Sequence, residues 1–316
     1  MKKQIDNIIV ANPGGIANRI KCLISMWRIC DKYDRKLYLN WIRNHTCGAE
    51  FDRLFENEFD VVNGEGITKL DNILISETWR FLALPNEVPN NFAKVYPTKK
   101  GNNIDFEFDR IPIEVRENIL KYLNKLIPIK VIRNIVDDFS NTYNVSNLVG
   151  VHIRRDDFVM CGNKKNSHVA SDELFISKMN ELIQKDNTTM FLLCTDSQET
   201  EDKFKELFKE KIIIYPKKNR NRATRLNTQQ GLVDLLLLSK TKHIIGTYCS
   251  TYNELAWWFG GCKAKVDIIL DQKLKEEFLE KDQKLNNSKL LKLKKYFFNK
   301  LRLFKKTKMK GGLKIK

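Results

Sequence analysis

Residues 148–157 read Leu-Val-Gly-Val-His-Ile-Arg-Arg-Asp-Asp, an apolar run that ends abruptly in charge. LVGVHI is short and, apart from His152, apolar, as expected of a strand buried on both faces. Similar runs recur downstream as MFLLCTD (190–196), IIIYP (212–216), HIIGT (243–247) and KVDIIL (265–270). Between them lie segments of helical period, namely SDELFISKMNELIQK, ETEDKFKELFKE, TQQGLVDLLLLSK and STYNELAWWF. Strands alternating with helices at this spacing predict a parallel sheet wrapped on both faces. The same grammar opens the chain: NIIVA (7–11), the turn NPGG (12–15), a helix from Ile16 with apolar positions at Ile20, Leu23, Ile24 and Trp27, then KLYLNW (36–41). EVRENILKYLNKL and KVIRNIVDDF predict two further helices broken at Pro128, whereas residues 60–110 carry little periodicity. The fold class is therefore α/β, with two Rossmann-like domains over residues 1–140 and 145–272 facing each other across a cleft. Open sheets of this kind bind ligands beyond the carboxyl ends of their strands.

The 316 residues, 42% hydrophobic and 30% charged, exclude collagen, a disulfide miniprotein and a wholly disordered chain. The formal charge of +17 suggests nucleic acid, but 13 of these charges fall in residues 283–316, which hold no Asp or Glu. The remainder is only mildly basic. In the tail Leu290, Leu293, Phe297, Leu301 and Phe304 recur at helical spacing among lysines. That is a basic amphipathic helix, suited either to an anionic membrane surface or to packing on its own domain. No nucleic-acid-binding motif accompanies it, so nucleic acid is not expected as a partner. Seven scattered cysteines without a CxxC pair point to a reducing compartment and no metal cluster. Without a signal-like or membrane-spanning apolar run, the expected location is cytoplasmic, peripheral on the inner face of the membrane.

Chemistry is expected at the strand ends. Gly14 and Gly15, followed by Ala17, Asn18 and Arg19 on an opening helical turn, suit either an anion or a tight turn. The loop is neither GxGxxG nor Walker A. In the 148–157 stretch, alternation sends His152 and Arg154 to one face and Ile153 and Arg155 to the other. A guanidinium there matches a phosphate, or closes an ion pair with Asp156 or Asp157. Asp196 either meets ligand or caps the helix that follows. Asp234 sits on an almost wholly apolar helix and must be paired with protein donors or a ligand such as the N1–H and N2–H of guanine. Ser250 and Thr251 present hydroxyls at a helix start, and Thr251-x-x-Glu254 reads as a capping box. Of the cations in KKNRNRATR (217–225), Arg225 lies nearest the Asp234 helix; the run suits a diphosphate, an acidic acceptor or solvent.

Together GGIANR (14–19), VHIRRDD (151–157), CTD (194–196) and VDLLLLSKTKHIIGTYCSTYNELAW (233–257) resemble the GDP-fucose-dependent fucosyltransferase superfamily. SMWRICDKYDRKLYLNW, with Cys47 and FDRLFEN, is similar to the amino-terminal domain of its nodulation members. The resemblance implies a GT-B fold and an inverting transfer of fucose from GDP-fucose to a glycan or lipid-linked glycan, with no metal and no cofactor. It implies that Arg154 grips the β-phosphate, His152 and Asp234 recognise guanosine, and Ser250 and Thr251 hold phosphate oxygens. The lysine and glutamate that follow the motif in α-1,6 members are replaced here by Phe158 and Gly162, which leaves Asp157, Asp156 and Glu254 as base candidates, Asp157 first. A transferase using another nucleotide sugar, such as GDP- or ADP-heptose, and a non-catalytic binding module are the competing readings.

Overall fold

The computed structural model describes residues 5–78, 81, 113–155, 170–218, 220–247 and 250–269. Its first sheet contains β1 (Asn7–Val10), β2 (Lys36–Leu39), β3 (Asp60–Val61) and β4 (Ile73–Ser76), ordered β3-β2-β1-β4 and parallel throughout. The second contains β5 (Val149–Ile153), β6 (Phe191–Thr195), β7 (Ile212–Ile213), β8 (His243–Thr247) and β9 (Lys265–Ile269), ordered β7-β6-β5-β8-β9 and again all parallel. Parallel neighbours need crossover connections, and these are supplied by α1 (Ile16–Tyr33), the short α2 (Gly64–Ile67), α5 (Asp172–Lys185), α6 (Gln198–Phe208), α7 (Arg225–Ser239) and α8 (Thr251–Phe259). Helices α3 (Ile113–Lys125) and α4 (Lys130–Tyr143) join the halves; α3 packs on α1 and α8, α4 on α7.

Strand order reverses at β1, flanked by β2 and β4, and at β5, flanked by β6 and β8. In open α/β sheets such reversals open a crevice at the carboxyl edge. The loops there are NPGG after β1 and Arg154-Arg155 after β5, the two segments that carry the strongest motifs.

Helix α1 is buried nearly all round, because the sheet lies on one side of it and α3 and α8 on others. Besides its apolar stripe it buries Arg19, Lys21 and Arg28, each 1% exposed. Buried charges are costly unless paired, and each has a distant partner: Arg19 donates to the Ile42 carbonyl at 2.8 Å, Lys21 forms an ion pair with Glu254 of α8, and Arg28 donates to Asn118 Oδ1 at 2.6 Å. The helix ends at Asp34, whose left-handed φ of 50° returns an amide to the Cys30 carbonyl.

Strands β3 and β4 lie in the region where periodicity is weak. Ile73, Leu74 and Ile75 are exposed by 37–47% on this edge strand, so no alternation marks it. The expected IIIYP strand is paired only at Ile212–Ile213. No helix of the described residues is long and apolar enough to cross a membrane. The basic tail over residues 283–316 lies outside the described residues.

Candidate active site

The first loop is built by its own polar side chains. Asn12 Oδ1 accepts from the Gly14 amide at 2.8 Å, and its Nδ2 donates to the Glu77 and Thr78 carbonyls at 2.6 and 2.8 Å. Asn44 Nδ2 and Thr46 Oγ1 both donate to the Pro13 carbonyl, at 2.7 and 2.9 Å. Arg19 lies beneath, donating to the Gly14 and Ile42 carbonyls at 2.7 and 2.8 Å with its guanidinium over the Trp41 ring. Burial lowers its pKa, and Arg19 acts as a strut rather than a cleft residue. Gly15 and Asn18 do line the cleft, whereas Gly14 sits behind them.

On the facing half, β5 ends at Ile153 and the two arginines part. Arg155 is turned away: its amide donates to Asp196 Oδ1 at 2.7 Å, while its guanidinium donates to the Ala170 carbonyl at 2.8 Å and pairs with Asp172. The neutralising carboxylate therefore comes from α5. Asp156 and Asp157 lie outside the described residues. Arg154 lines the cleft, its amide fixed by Thr247 Oγ1 at 3.0 Å. That hydroxyl in turn donates to the His152 carbonyl at 3.0 Å, stitching the ends of β5 and β8 together.

His152 also lines the cleft. Its Nδ1 meets Asn253 Oδ1, and its ring stacks on Tyr252 with centroids 4.7 Å apart. Asn253 Nδ2 is committed to the Thr247 carbonyl at 2.8 Å, so Oδ1 must accept and Nδ1 must carry the proton. Nε2 is left as an acceptor. Burial pushes the imidazole down to about 3, so it is neutral at physiological pH. Gly246 makes this clamp possible, since a Cβ there would stand 2.4 Å from Asn253 Nδ2.

Asp234 reaches the cleft from α7. Its Oδ2 accepts from Lys217 Nζ at 2.6 Å, and Lys217 also donates to the Thr195 carbonyl at 3.1 Å; both side chains are 6% exposed. Asp234 Oδ1 is buried and meets no donor among the described residues. Burial pushes the Asp234 carboxyl above its ordinary range, while Lys217 pulls the other way. Asp196 does not cap α6; Ser197 does, its Oγ accepting from the Thr200 amide at 3.2 Å.

The expectations for Thr251, Glu254, Arg225 and Ser250 are corrected, as are those for Arg19 and Arg155 above. Thr251 is not the cap of α8: the helix begins at that residue, Ser250 occupies the cap position without a side-chain cap bond, and Thr251 Oγ1 instead donates to Asn18 Oδ1 at 2.6 Å. Glu254 is 0% exposed in its ion pair with Lys21, so it closes no capping box and cannot reach an acceptor. Arg225 is outside the cleft in a two-pronged pair with the half-buried Glu50, at 2.9 and 3.0 Å, which holds that carboxylate down at about 2 through the hydrogen bond. Lys217, Arg220 and Arg222 line the cleft in its place. Ser250 is buried with no partner for its Oγ among the described residues, and is not among the lining residues.

The cleft encloses about 900 Å³ including its open mouth. Gly15–Asn18 and Thr46 form one wall, and His152, Arg154, Thr195, Asp196, Lys217, Asn227, Asp234 and Tyr252 much of the other. Arg154, Lys217, Arg220 and Arg222 outweigh Asp196 and Asp234, which leaves a positive excess suited to a polyanion. Asn227, Thr228 and Tyr252 are lining residues without a sequence signal. The walls are joined by the Asn18–Thr251 bond and by a backbone contact, the Gly48 amide donating to the Arg222 carbonyl and to Thr228 Oγ1, both at 2.9 Å.

The sequence model of glycosyl transferase family 11 matches residues 71–289. No curated protein is similar enough in sequence to match. Among solved structures, NodZ alpha-1,6-fucosyltransferase soaked with GDP-fucose is 17% identical, covering 81% of this chain and 93% of its own, with a TM-score of 0.50. The fucosyltransferase NodZ from Bradyrhizobium is likewise 17% identical, covering 80% and 92%, with a TM-score of 0.49. POFUT1 in complex with GDP is 11% identical, covering 85% and 99%, with a TM-score of 0.50. The two-sheet architecture is the GT-B fold.

Proposed function

The chain belongs to glycosyl transferase family 11 and is thus a glycosyltransferase of the GDP-fucose-dependent fucosyltransferase superfamily; from that premise we propose that it moves fucose from GDP-fucose, with inversion and without a metal, to a hydroxyl of a glycan or lipid-linked glycan. The observation that carries this reading is the convergence of Arg154, His152 and the Lys217–Asp234 pair on one cleft at the point where strand order reverses. The solved fucosyltransferases above were studied with GDP and GDP-fucose, which supports a guanosine diphosphate donor here.

In the transfer, the acceptor oxygen attacks the anomeric carbon from the face opposite the diphosphate. The carbon–oxygen bond to the β-phosphate breaks and its electron pair leaves with GDP, while the acceptor proton passes to a base. Charge therefore builds on the diphosphate, and Arg154 binds it more strongly in the transition state than in the ground state. A charge-assisted hydrogen bond of this kind contributes about 1.5 to 3 kcal/mol. Neutral His152 offers Nε2 as an acceptor, and Asp234 offers Oδ1 to the N–H donors of guanine. Asp157 is the proposed base. The amino-terminal domain takes the acceptor and the carboxyl-terminal domain the donor. Residues 283–316 attach the enzyme to an anionic membrane surface where lipid-linked acceptors reside.

The test is transfer from labelled GDP-fucose in EDTA to a panel of glycan and lipid-linked acceptors, with the anomeric configuration of the product read by NMR. A product of configuration opposite to the donor supports the reading. Retention, dependence on a divalent ion, or transfer only from another nucleotide sugar would overturn it.

A further inference from the structure

We infer that Lys217 is a positioning residue for donor recognition, one that holds the Asp234 carboxylate by Oδ2 and leaves Oδ1 for the base of the nucleotide. The inference rests on the proposed guanosine diphosphate donor and adds a residue to that site.

Lys217 comes from the loop after β7, not from the helix that bears Asp234. It is the first cation of KKNRNRATR, yet its side chain is only 6% exposed. Its ammonium is fixed by two acceptors on different elements, the Thr195 carbonyl at the end of β6 and Asp234 Oδ2 on α7. Such a pair sets the plane of the carboxylate. Only one oxygen is consumed, and the other is buried in a cleft wall with no donor among the described residues. Leaving a carboxylate oxygen in that state costs stability unless a ligand completes it, and a guanine edge brings two adjacent N–H donors.

The charged and titratable groups around Asp234 leave this task to Lys217. Arg220 bears on it from the loop but is itself paired with Glu201 of α6, which also faces Asp234. Cys194 on β6, Tyr215 after β7 and Tyr252 on α8 also bear on this site, and burial pushes each of these up, keeping them neutral at physiological pH; neutral His152 and Asp196 line the same cleft. Without the ammonium, the buried carboxyl would take up a proton and present a donor where the base also presents donors.

The experiment is calorimetric titration of the full chain with GDP and ADP from pH 5.5 to 8.5, on wild type, Lys217→Met, Lys217→Arg, Asp234→Asn and the Lys217→Met/Asp234→Asn double variant. Wild-type affinity for GDP is expected to change with pH only as the terminal phosphate of the ligand titrates, at about pH 6, and each variant is read relative to wild type at the same pH. Lys217→Met is expected to bind GDP about tenfold or more weakly at the acid end and to recover by up to about tenfold per unit as pH rises through the carboxyl's titration. Lys217→Arg keeps affinity within a few-fold, Asp234→Asn is weak and flat, and the double variant is no weaker than Asp234→Asn. A flat, wild-type-like Lys217→Met beside a weak Asp234→Asn would overturn the role of Lys217 alone. Wild-type binding by Asp234→Asn, or no preference of wild type for GDP over ADP, would overturn the donor reading and this inference with it. If Lys217→Met does not fold, Lys217→Gln decides on the same criteria.

Discussion

Gly48 is the point at which the two halves touch backbone to backbone, and Gly48→Ala perturbs that contact alone. A Cβ there would stand 2.1 Å from the Ala223 carbonyl oxygen and 2.2 Å from its carbon. These are main-chain atoms that no rotamer change can move, so the backbones must part by about 1 Å or more to reach ordinary contact. Overpacking of this kind costs about 1–3 kcal/mol. The Gly48 amide also loses its bonds to Arg222 and Thr228, for about 1 kcal/mol more. The reduced freedom of the unfolded chain returns about 0.4–1 kcal/mol. The net expectation is roughly 2–3 kcal/mol of lost stability, read as a lower urea midpoint at unchanged slope. Arg222 and Thr228 line the cleft, so affinity for GDP should fall in parallel, by about tenfold for each 1.4 kcal/mol that reaches the site. Stability within 0.5 kcal/mol of wild type, taken as the ordinary surface scatter of about that size, together with unchanged affinity, would refute the seating of residues 222–224 on Gly48.

Other outcomes follow from the same geometry. His152 is held down at about 3 by burial against 6.5 when exposed, so the unfolded chain binds its proton first as pH falls. Its contribution is complete above about pH 6.5 and is lost toward pH 3, at up to about 1.4 kcal/mol per unit; His152→Gln should flatten that acid limb in urea titrations at pH 4–7, and an unchanged limb would contradict the clamp. Asp157→Asn should lower kcat by at least about a hundredfold with GDP affinity intact, and wild-type turnover would remove Asp157 as the base. Deleting residues 284–316 should shift the protein from sedimenting with anionic vesicles to the supernatant, whereas unchanged partitioning would contradict membrane attachment.

The carboxyl-terminal sheet was legible because buried parallel strands are continuous apolar runs, and LVGVHI, MFLLCTD, HIIGT and KVDIIL each became a strand. The separation of Arg154 from Arg155 agrees with the period-two reading but has another cause, since β5 ends at Ile153 and Asp196, Ala170 and Asp172 turn Arg155 away. What the sequence could not yield were pairings between distant elements. Thr251-x-x-Glu254 satisfies a local rule, but Asn18 and Lys21 on the facing half claim both side chains. Arg225 is nearer to Asp234 along the chain than Lys217, yet the helix start points it outward to Glu50 while the loop folds Lys217 inward. Strand β4 has exposed isoleucines and no alternation, and only its pairing with β1 identifies it. Nothing local in the sequence marks Lys21 and Arg28 as buried; α8 and α3 cover them.

The central claim is a guanosine diphosphate site in the cleft that depends on Arg154. It is tested most directly by calorimetric titration of wild type and Arg154→Ala with GDP, GDP-fucose, ADP and UDP in EDTA. The account predicts selective binding of the two guanine nucleotides, weakened at least about tenfold in the variant through loss of a charge-assisted contact. Binding of ADP or UDP in preference to GDP, or guanine-nucleotide affinity indifferent to Arg154, would contradict it.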